Sequence, residues 1–410
     1  MRLCLTLLAS TAFASGLAWA DAGPETPKDP ADFAPVPAHA TGPVPAGPVN
    51  YKLTTLAKGL DHPWSIAFLP DGSMLVTERA GRLRVIRNGE LDPTPVSGVP
   101  PVYTAPGSAL QAAGQAGLFD VVLHPKFAEN HIVYLTFATG DASANATRVV
   151  RAKFDGHALT DVQPIFTAAP LKDTANHFGG RMVFLPDGTF LLTVGEGFEY
   201  REKAQDLSTD LGKIVHLNED GSIPSGNPFS GRPGARPEIW TLGHRNEQGL
   251  FFDAKTGRVW ETEHGPKGGD EINIIEPGKN YGWPVITYGM DYSGAYVSLY
   301  TEHEGMEQPI LYWTPSIAPS GFTIYHGDKF PEWEGDGFAG SLVFKNVRHV
   351  NFDANYAVVG QEELFKELGM RIRDVRTGPD GYLYLLTEID HAGLFGPGAG
   401  DGTVVRVEPK

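Results

Sequence analysis

The sequence predicts an all-β protein, a six-bladed β-propeller whose blades are four-stranded antiparallel sheets, and three observations predict it. Glycine (49) and proline (33) together make one residue in five of the 410, the composition of short strands and turns and not of long helices. A hairpin pattern recurs six times along the chain. The last recurrence is one strand short, while an unmatched strand stands ahead of the first.

Taken in order, the chain opens with Arg2 and an apolar run from Leu3 to about Leu17, then Ala18-Trp19-Ala20, a small-x-small cleavage pattern. Residues 1–20 therefore read as a secretion signal peptide. An uncleaved membrane anchor is the alternative, disfavoured because the run is short of the ~20 residues that a bilayer span needs. A periplasmic or secreted protein follows, with no integral membrane segment after signal cleavage. Cys4, the only cysteine, falls inside the signal, so the mature protein has no disulfides, thiolate nucleophile or cysteine-ligated metal. Residues 21–50 are dense in Pro and Ala without apolar periodicity and read as an extended tether. The propeller then occupies residues 51–410.

Tyr51 to Leu56 is the spare strand. The first full hairpin runs from Pro63 through the turn Pro70-Asp71-Gly72 to Glu78, and its clear echoes are Gly180 to Val194 and Ile372 to Thr387. Each is an apolar strand, a Pro-Asp-Gly turn and a second strand. Weaker copies start at Leu118, Gln248 and Ser320, and third strands follow at Arg82 to Arg87, Lys213 to Leu217 and Thr403 to Val407. If the spare strand completes the last unit, the ring closes on paired termini and leaves no open sheet edge. An open two-domain β-sandwich is the rival, and six related hairpins are hard to place in it.

Charge and loops then bear on function. With 49 acidic against 33 basic residues the net charge is −16, which argues against nucleic acid as a partner, since that needs a basic face. The polar loops Gly114 to Gly117, Asn176 to Arg181, Gly243 to Gln248 and Glu263 to Glu271, with the strand start at Arg371, mostly precede or begin a repeat's first strand. Ring geometry brings such positions to one end. His177 is the candidate general base, because imidazole titrates near neutral pH and Gly179-Gly180 admits a ligand close to the backbone; a structural histidine is the plain alternative. Arg245, Arg371 and Arg373 suggest a pocket for a polyanion, or else salt bridges to the abundant acids. Phosphate-loop, zinc-helix and EF-hand motifs are absent.

The segments GQAGLFDVVLHPKF, NHFGGRMVF, GHRNEQGLFF, EHGPKGGDEINII, KNYGWPVITYG and RIRDVRTGPDGYLY resemble the soluble, periplasmic quinoprotein sugar dehydrogenases, in particular the PQQ-dependent aldose sugar dehydrogenases. The resemblance runs from about Leu60 to the C-terminus, with the six motifs in the family's order. It implies a six-bladed propeller that holds pyrroloquinoline quinone (PQQ) and Ca2+, oxidises the anomeric carbon of aldose sugars to lactones, and passes electrons to an external acceptor. Residue by residue, it implies that His177 is the base and Arg245 the arginine beside the quinone. Gln115 and Asn176 would face the substrate, with Trp313 near a family tryptophan at a one-residue offset. Asn246, Arg371 and Arg373 would hold PQQ, Asp270 would orient the arginine, and the carbonyls of Gly265 and Pro266 would hold calcium.

Two departures stand out. The residue before the base is Asn176 where the soluble glucose dehydrogenase has an aspartate, and a neutral neighbour cannot raise the pKa of His177. The family lysine that pairs with PQQ falls in a GSLK pattern, whereas here Gly340-Ser341-Leu342-Val343-Phe344-Lys345 displaces it by two positions. Strand alternation would let Lys345 bend back to the place of Val343, or else it is a solvated lysine. Two other functions compete. A calcium-dependent sugar lactonase would need a carboxylate cluster on the metal and no arginine pocket, and a non-catalytic ligand-binding propeller would need neither His177 nor the arginines.

Overall fold

The computed structural model describes residues 49–105, 114–389 and 400–410. The signal peptide and nearly all of the tether lie outside the described residues. The chain forms six four-stranded antiparallel sheets. After β1 (Tyr51–Leu60), the first blade is β2 (Pro63–Phe68), β3 (Met74–Glu78), β4 (Arg82–Arg87) and β5 (Glu90–Leu91). The second is β6 (Leu118–Leu123), β7 (Ile132–Gly140), β8 (Asn145–Phe154) and β9 (Leu159–Thr167). The third is β10 (Met182–Phe184), β11 (Phe190–Val194), β12 (Lys213–Leu217) and β13 (Ile239–Leu242). The fourth is β14 (Glu247–Asp253), β15 (Arg258–Glu263), β16 (Asp270–Ile275) and β17 (Leu311–Trp313). The fifth is β18 (Pro319–Ile324), β19 (Gly337–Ser341), β20 (Asn346–Phe352) and β21 (Val358–Leu364). The sixth is β22 (Arg371–Thr377), β23 (Leu383–Glu388) and β24 (Gly402–Pro409), completed by β1 in the order β1-β24-β23-β22.

The spare strand therefore latches the ring, with Tyr51 opposite Pro409 and Leu53 opposite Val407. The Pro-Asp-Gly turns owe their shape to two features. Gly72, Gly188 and Gly381 sit at φ of 85°, 86° and 80°, a region that glycine enters without steric cost. Asp71 Oδ1 accepts the Ser73 N–H at 2.9 Å, and Asp187 accepts that of Thr189 at 3.0 Å.

Six apolar clusters fill the six interfaces between blades. Leu75, Leu83 and Val85 meet Leu118, Val133 and Leu135 between the first and second blades, and Ile66, Met74 and Val76 meet Leu386 and Val404 across the closure. Near the axis the inner strands β2, β6, β10, β14, β18 and β22 touch in succession around the ring. Charge ties them together there: Asp374 pairs with Arg181 at 3.1 Å and Arg376 at 3.0 Å, and Arg376 reaches Asp120 at 3.2 Å.

One expectation about a strand fails. Leu342 to Lys345 form the turn between β19 and β20 and not a continuation of β19, and Lys345 takes the left-handed region at φ 55°. The alternation argument for Lys345 therefore does not apply.

Candidate active site

The inner strands all start at one end of the ring, so the loops that precede them converge there. His177 precedes β10 by five residues, in the left-handed region at φ 48°. Its N–H donates to Gln115 Oε1 at 2.9 Å, which fixes the loop before β6 against the loop before β10. A Cβ on Gly179 would stand 2.8 Å from the Thr193 backbone, and one on Gly180 would stand 2.7 Å from the Phe119 ring. Glycine is required at both, because this loop lies directly on its neighbours. Asn176, half-buried, precedes the histidine.

His177 Nδ1 faces Glu196 Oε1 at 3.1 Å, and both side chains are almost wholly buried. Glu196 follows β11 and was not singled out from the sequence; it supplies the carboxylate that Asn176 does not. Burial lowers the His177 pKa from its ordinary value, Glu196 raises it and Arg245 lowers it, for a net decrease. The imidazole is thus neutral at pH 7. With Nδ1 held by the carboxylate, Nε2 is the nitrogen left for a substrate hydroxyl.

Arg245 and Asn246 stand just before β14. The Arg245 N–H donates to Glu263 Oε2 at 2.6 Å, and its Nη1 donates to the carbonyls of His264 at 3.0 Å and Gly265 at 2.8 Å. Its guanidinium lies over the rings of Trp283, at 5.4 Å, and Tyr292, at 6.0 Å. Tyr292 in turn stacks on Phe198, whose ring meets His177 edge-on at 5.1 Å. This aromatic rim was not singled out from the sequence: Trp283 and Tyr292 come from the excursion between β16 and β17, and Phe198 from the segment after β11. Asn246 Oδ1 accepts the Gly179 N–H at 3.3 Å, which brings it beside the base loop.

Arg371 and Arg373 open β22 and are 4% and 8% exposed. Both donate to one oxygen of Glu388, at 3.1 and 3.2 Å. Burial is the largest influence on that carboxyl and raises it, yet Arg373, Arg371 and Arg79 together hold it at about 2. Several guanidiniums thus bear on one carboxylate, and the buried positive charge in excess fits a polyanion. The salt-bridge alternative holds in part, because Glu388 satisfies one donor of each arginine.

Two expected residues are held by contacts other than those the resemblance implies. Asp270 accepts the N–H groups of Gly265 at 2.9 Å, Ile317 at 2.7 Å and Ala318 at 2.9 Å, together with the Ser316 hydroxyl. It pins the Gly265 loop, and no guanidinium appears among its hydrogen-bond partners within the described residues. Trp313 lies in the apolar cluster between the fourth and fifth blades, and its Nε1 donates to Gln361 at 3.0 Å. The outer strand β17 holds it there, and the Trp313 carbonyl accepts the Gly269 N–H at 2.8 Å. Gly265 and Pro266 are buried between β15 and β16 at the site end, and the Gly265 carbonyl keeps a second lone pair beside its bond to Arg245.

Known proteins are similar to this chain in sequence and in fold. The aldose sugar dehydrogenase YliI of Escherichia coli is 43% identical over 349 residues, covering 84% of this chain and 91% of that protein. Quinoprotein glucose dehydrogenase B of Acinetobacter calcoaceticus is 29% identical over 438 residues, covering 87% and 89%. The PQQ-bound aldose sugar dehydrogenase of Streptomyces coelicolor superposes with a TM-score of 0.69 at 28% identity, covering 88% of this chain and 99% of that one. The glucose/sorbosone dehydrogenase profile matches residues 60–395, which takes in every convergent loop described above, and the chain is a member of that family.

Proposed function

We propose that the protein is a PQQ-dependent aldose sugar dehydrogenase that oxidises the anomeric carbon of an aldose to the lactone. The observation that carries this reading is the buried His177–Glu196 pair at the same end of the ring as Arg371 and Arg373, two buried arginines that share one oxygen of Glu388. Arg371, Arg373 and Asn246 would hold the PQQ carboxylates, and the carbonyls of Gly265 and Pro266 would hold Ca2+, as hard oxygen ligands need not be side chains. When bound, the quinone with its calcium supplies the hydride acceptor. His177 Nε2 takes the proton from the anomeric hydroxyl, and Glu196 stabilises the resulting imidazolium. Arg245, held by Glu263 and two carbonyls, sets a positive charge where negative charge develops. Gln115 and Asn176 line the sugar side of the base. The electrons then leave to an external acceptor.

Supporting this reading, the relatives named above are an aldose sugar dehydrogenase, a quinoprotein glucose dehydrogenase and a PQQ-bound aldose sugar dehydrogenase. The predicted signal peptide supports a periplasmic or secreted location, and among the described residues no helix is long and apolar enough to cross a membrane. The test is reconstitution. Protein from a host that lacks PQQ is expected to be inactive, and PQQ with Ca2+ to restore dye-linked oxidation of aldoses. Full activity without added quinone would overturn the proposal.

A further inference from the structure

The loop that carries His177 is tied to the second blade by a buried lysine. Lys172 lies in the segment between β9 and β10 and is 3% exposed. A two-way backbone pair joins it to Asn145 at the start of β8, at 2.8 and 2.9 Å. Its ammonium donates to Asn145 Oδ1 at 2.9 Å and to the Thr174 carbonyl at 2.5 Å, and it stands 3.5 Å from the centre of the Phe178 ring. Phe178 directly follows His177 and is itself buried. A buried ammonium is costly to retain where an apolar side chain would pack, and the family motifs do not include this one.

The same segment grips the loop that carries Glu196. The Thr174 hydroxyl donates to the Gly197 carbonyl at 2.5 Å, and a Cβ on Gly197 would stand 2.7 Å from Lys172 Cδ. Glycine at 197 therefore lets the lysine stem pass directly beside the residue after Glu196. Lys172 thus packs on the neighbour of each member of the His177–Glu196 pair, Phe178 on one side and Gly197 on the other. The second carboxylate oxygen of Glu196, Oε2, is shielded from solvent and has no hydrogen-bond partner among the described residues. Only His177 bonds directly to that carboxylate, and further balance of its charge acts through space.

We propose that Lys172 is a positioning residue for the base: its stem and ammonium set the His177 and Glu196 loops against each other, and its positive charge opposes protonation of the imidazole. The proposal rests on the reading of His177 as the base. Burial is the largest influence on His177 and lowers its pKa, Glu196 raises it, and Arg245 and Lys172 lower it further. His264, brought to about 3 by burial and then by Arg245, also lies within reach of His177 and is neutral above that pH. Burial brings Lys172 itself down to about 7, against the pull of Glu196 and Asp173. The lysine is therefore charged throughout the range, below the ordinary histidine value, in which His177 takes up its proton. Removing that charge lets His177 protonate at higher pH, the opposite direction to Glu196→Gln.

The experiment compares Lys172→Met with wild type in two ways. In the quinone-free protein the ring signals of His177, assigned by their loss in His177→Gln, are titrated by NMR from acid to mildly alkaline pH. In protein loaded with PQQ and Ca2+, kcat and KM for an aldose are measured over the same range. The His177 midpoint is expected to rise by roughly one pH unit in the variant, and the acid limb of kcat/KM to move up with it. On the plateau, kcat is expected to fall about tenfold through misplacement of the base, with KM and the Kd of PQQ changed by less than about threefold. A lysine that only supports the fold would lower Tm and leave the midpoint in place, so an unmoved or lowered midpoint would overturn the proposal. A raised midpoint with no change in kcat/KM would keep the charge link between Lys172 and His177 and overturn the base reading instead. Should Lys172→Met fail to fold, Lys172→Gln, which also removes the charge, makes the same comparison with the same outcomes.

Discussion

His177 and Glu196 set the expected pH response. Because the folded site lowers the histidine's pKa from its ordinary value of 6.5, the base form persists through neutral pH, and kcat/KM should fall only as pH drops below the usual histidine range. Glu196→Gln removes the partner that raises this pKa, so the acid limb should move further down. The plateau rate should drop about 10- to 100-fold through loss of a charge-assisted bond of ~1.5–3 kcal/mol. His177→Ala should cost about 10² to 10⁴ in single-turnover rate while leaving PQQ binding nearly intact. A full pH profile of the variants checks this, and an acid limb that rises in Glu196→Gln would remove the pair from the mechanism. His177 was legible in the sequence because it stands beside two glycines at the start of a repeat. Glu196 was not, because one acid among 49 carries no signal by itself.

At the level of the element, the repeat did encode that acid. β3 ends in Glu78, β15 in Glu263 and β23 in Glu388, and Glu196 lies two residues past β11. Each stands at the site end of a second strand and faces a cation or a histidine. Reading the hairpins for turns and apolar positions alone passed over this column. Glu388→Gln should lower the stability of the quinone-free protein by about 3–5 kcal/mol, the usual cost of breaking a buried pair by removing one partner. Added PQQ should restore more stability to the variant than to wild type. Denaturant unfolding with and without PQQ measures both, and equal responses would mean that the arginines do not face the cofactor. Lys345 illustrates the opposite error, a strand read one turn too long. At φ 55° it carries a side chain where glycine is favoured, so Lys345→Gly should stabilise the fold by about 0.5–1 kcal/mol. PQQ affinity should change less than threefold. A tenfold loss would give the lysine back its family role.

For the whole molecule, the number of blades and the closure were legible because a unit that lacks a strand and a strand that lacks a unit complete one another. The path of residues 276–310 was not legible, since loop length does not say which end of a ring a loop will visit, and this one brings Trp283 and Tyr292 to Arg245. The latch has a consequence for how the chain can be cut. The Lys410 N–H reaches the Asn50 carbonyl at 3.3 Å, so the two ends of the ring meet, and the order in which blades are strung is not what holds them in place. A circular permutant that joins residue 410 to residue 50 through a short glycine linker and opens at Gly188, where the turn faces open space, should fold to the same ring. It should keep quinone-dependent activity, with a Tm within about 5 °C of the parent. The polypeptide has a beginning, but the ring it builds has none, and new termini can be placed at any outward turn far from the convergent loops.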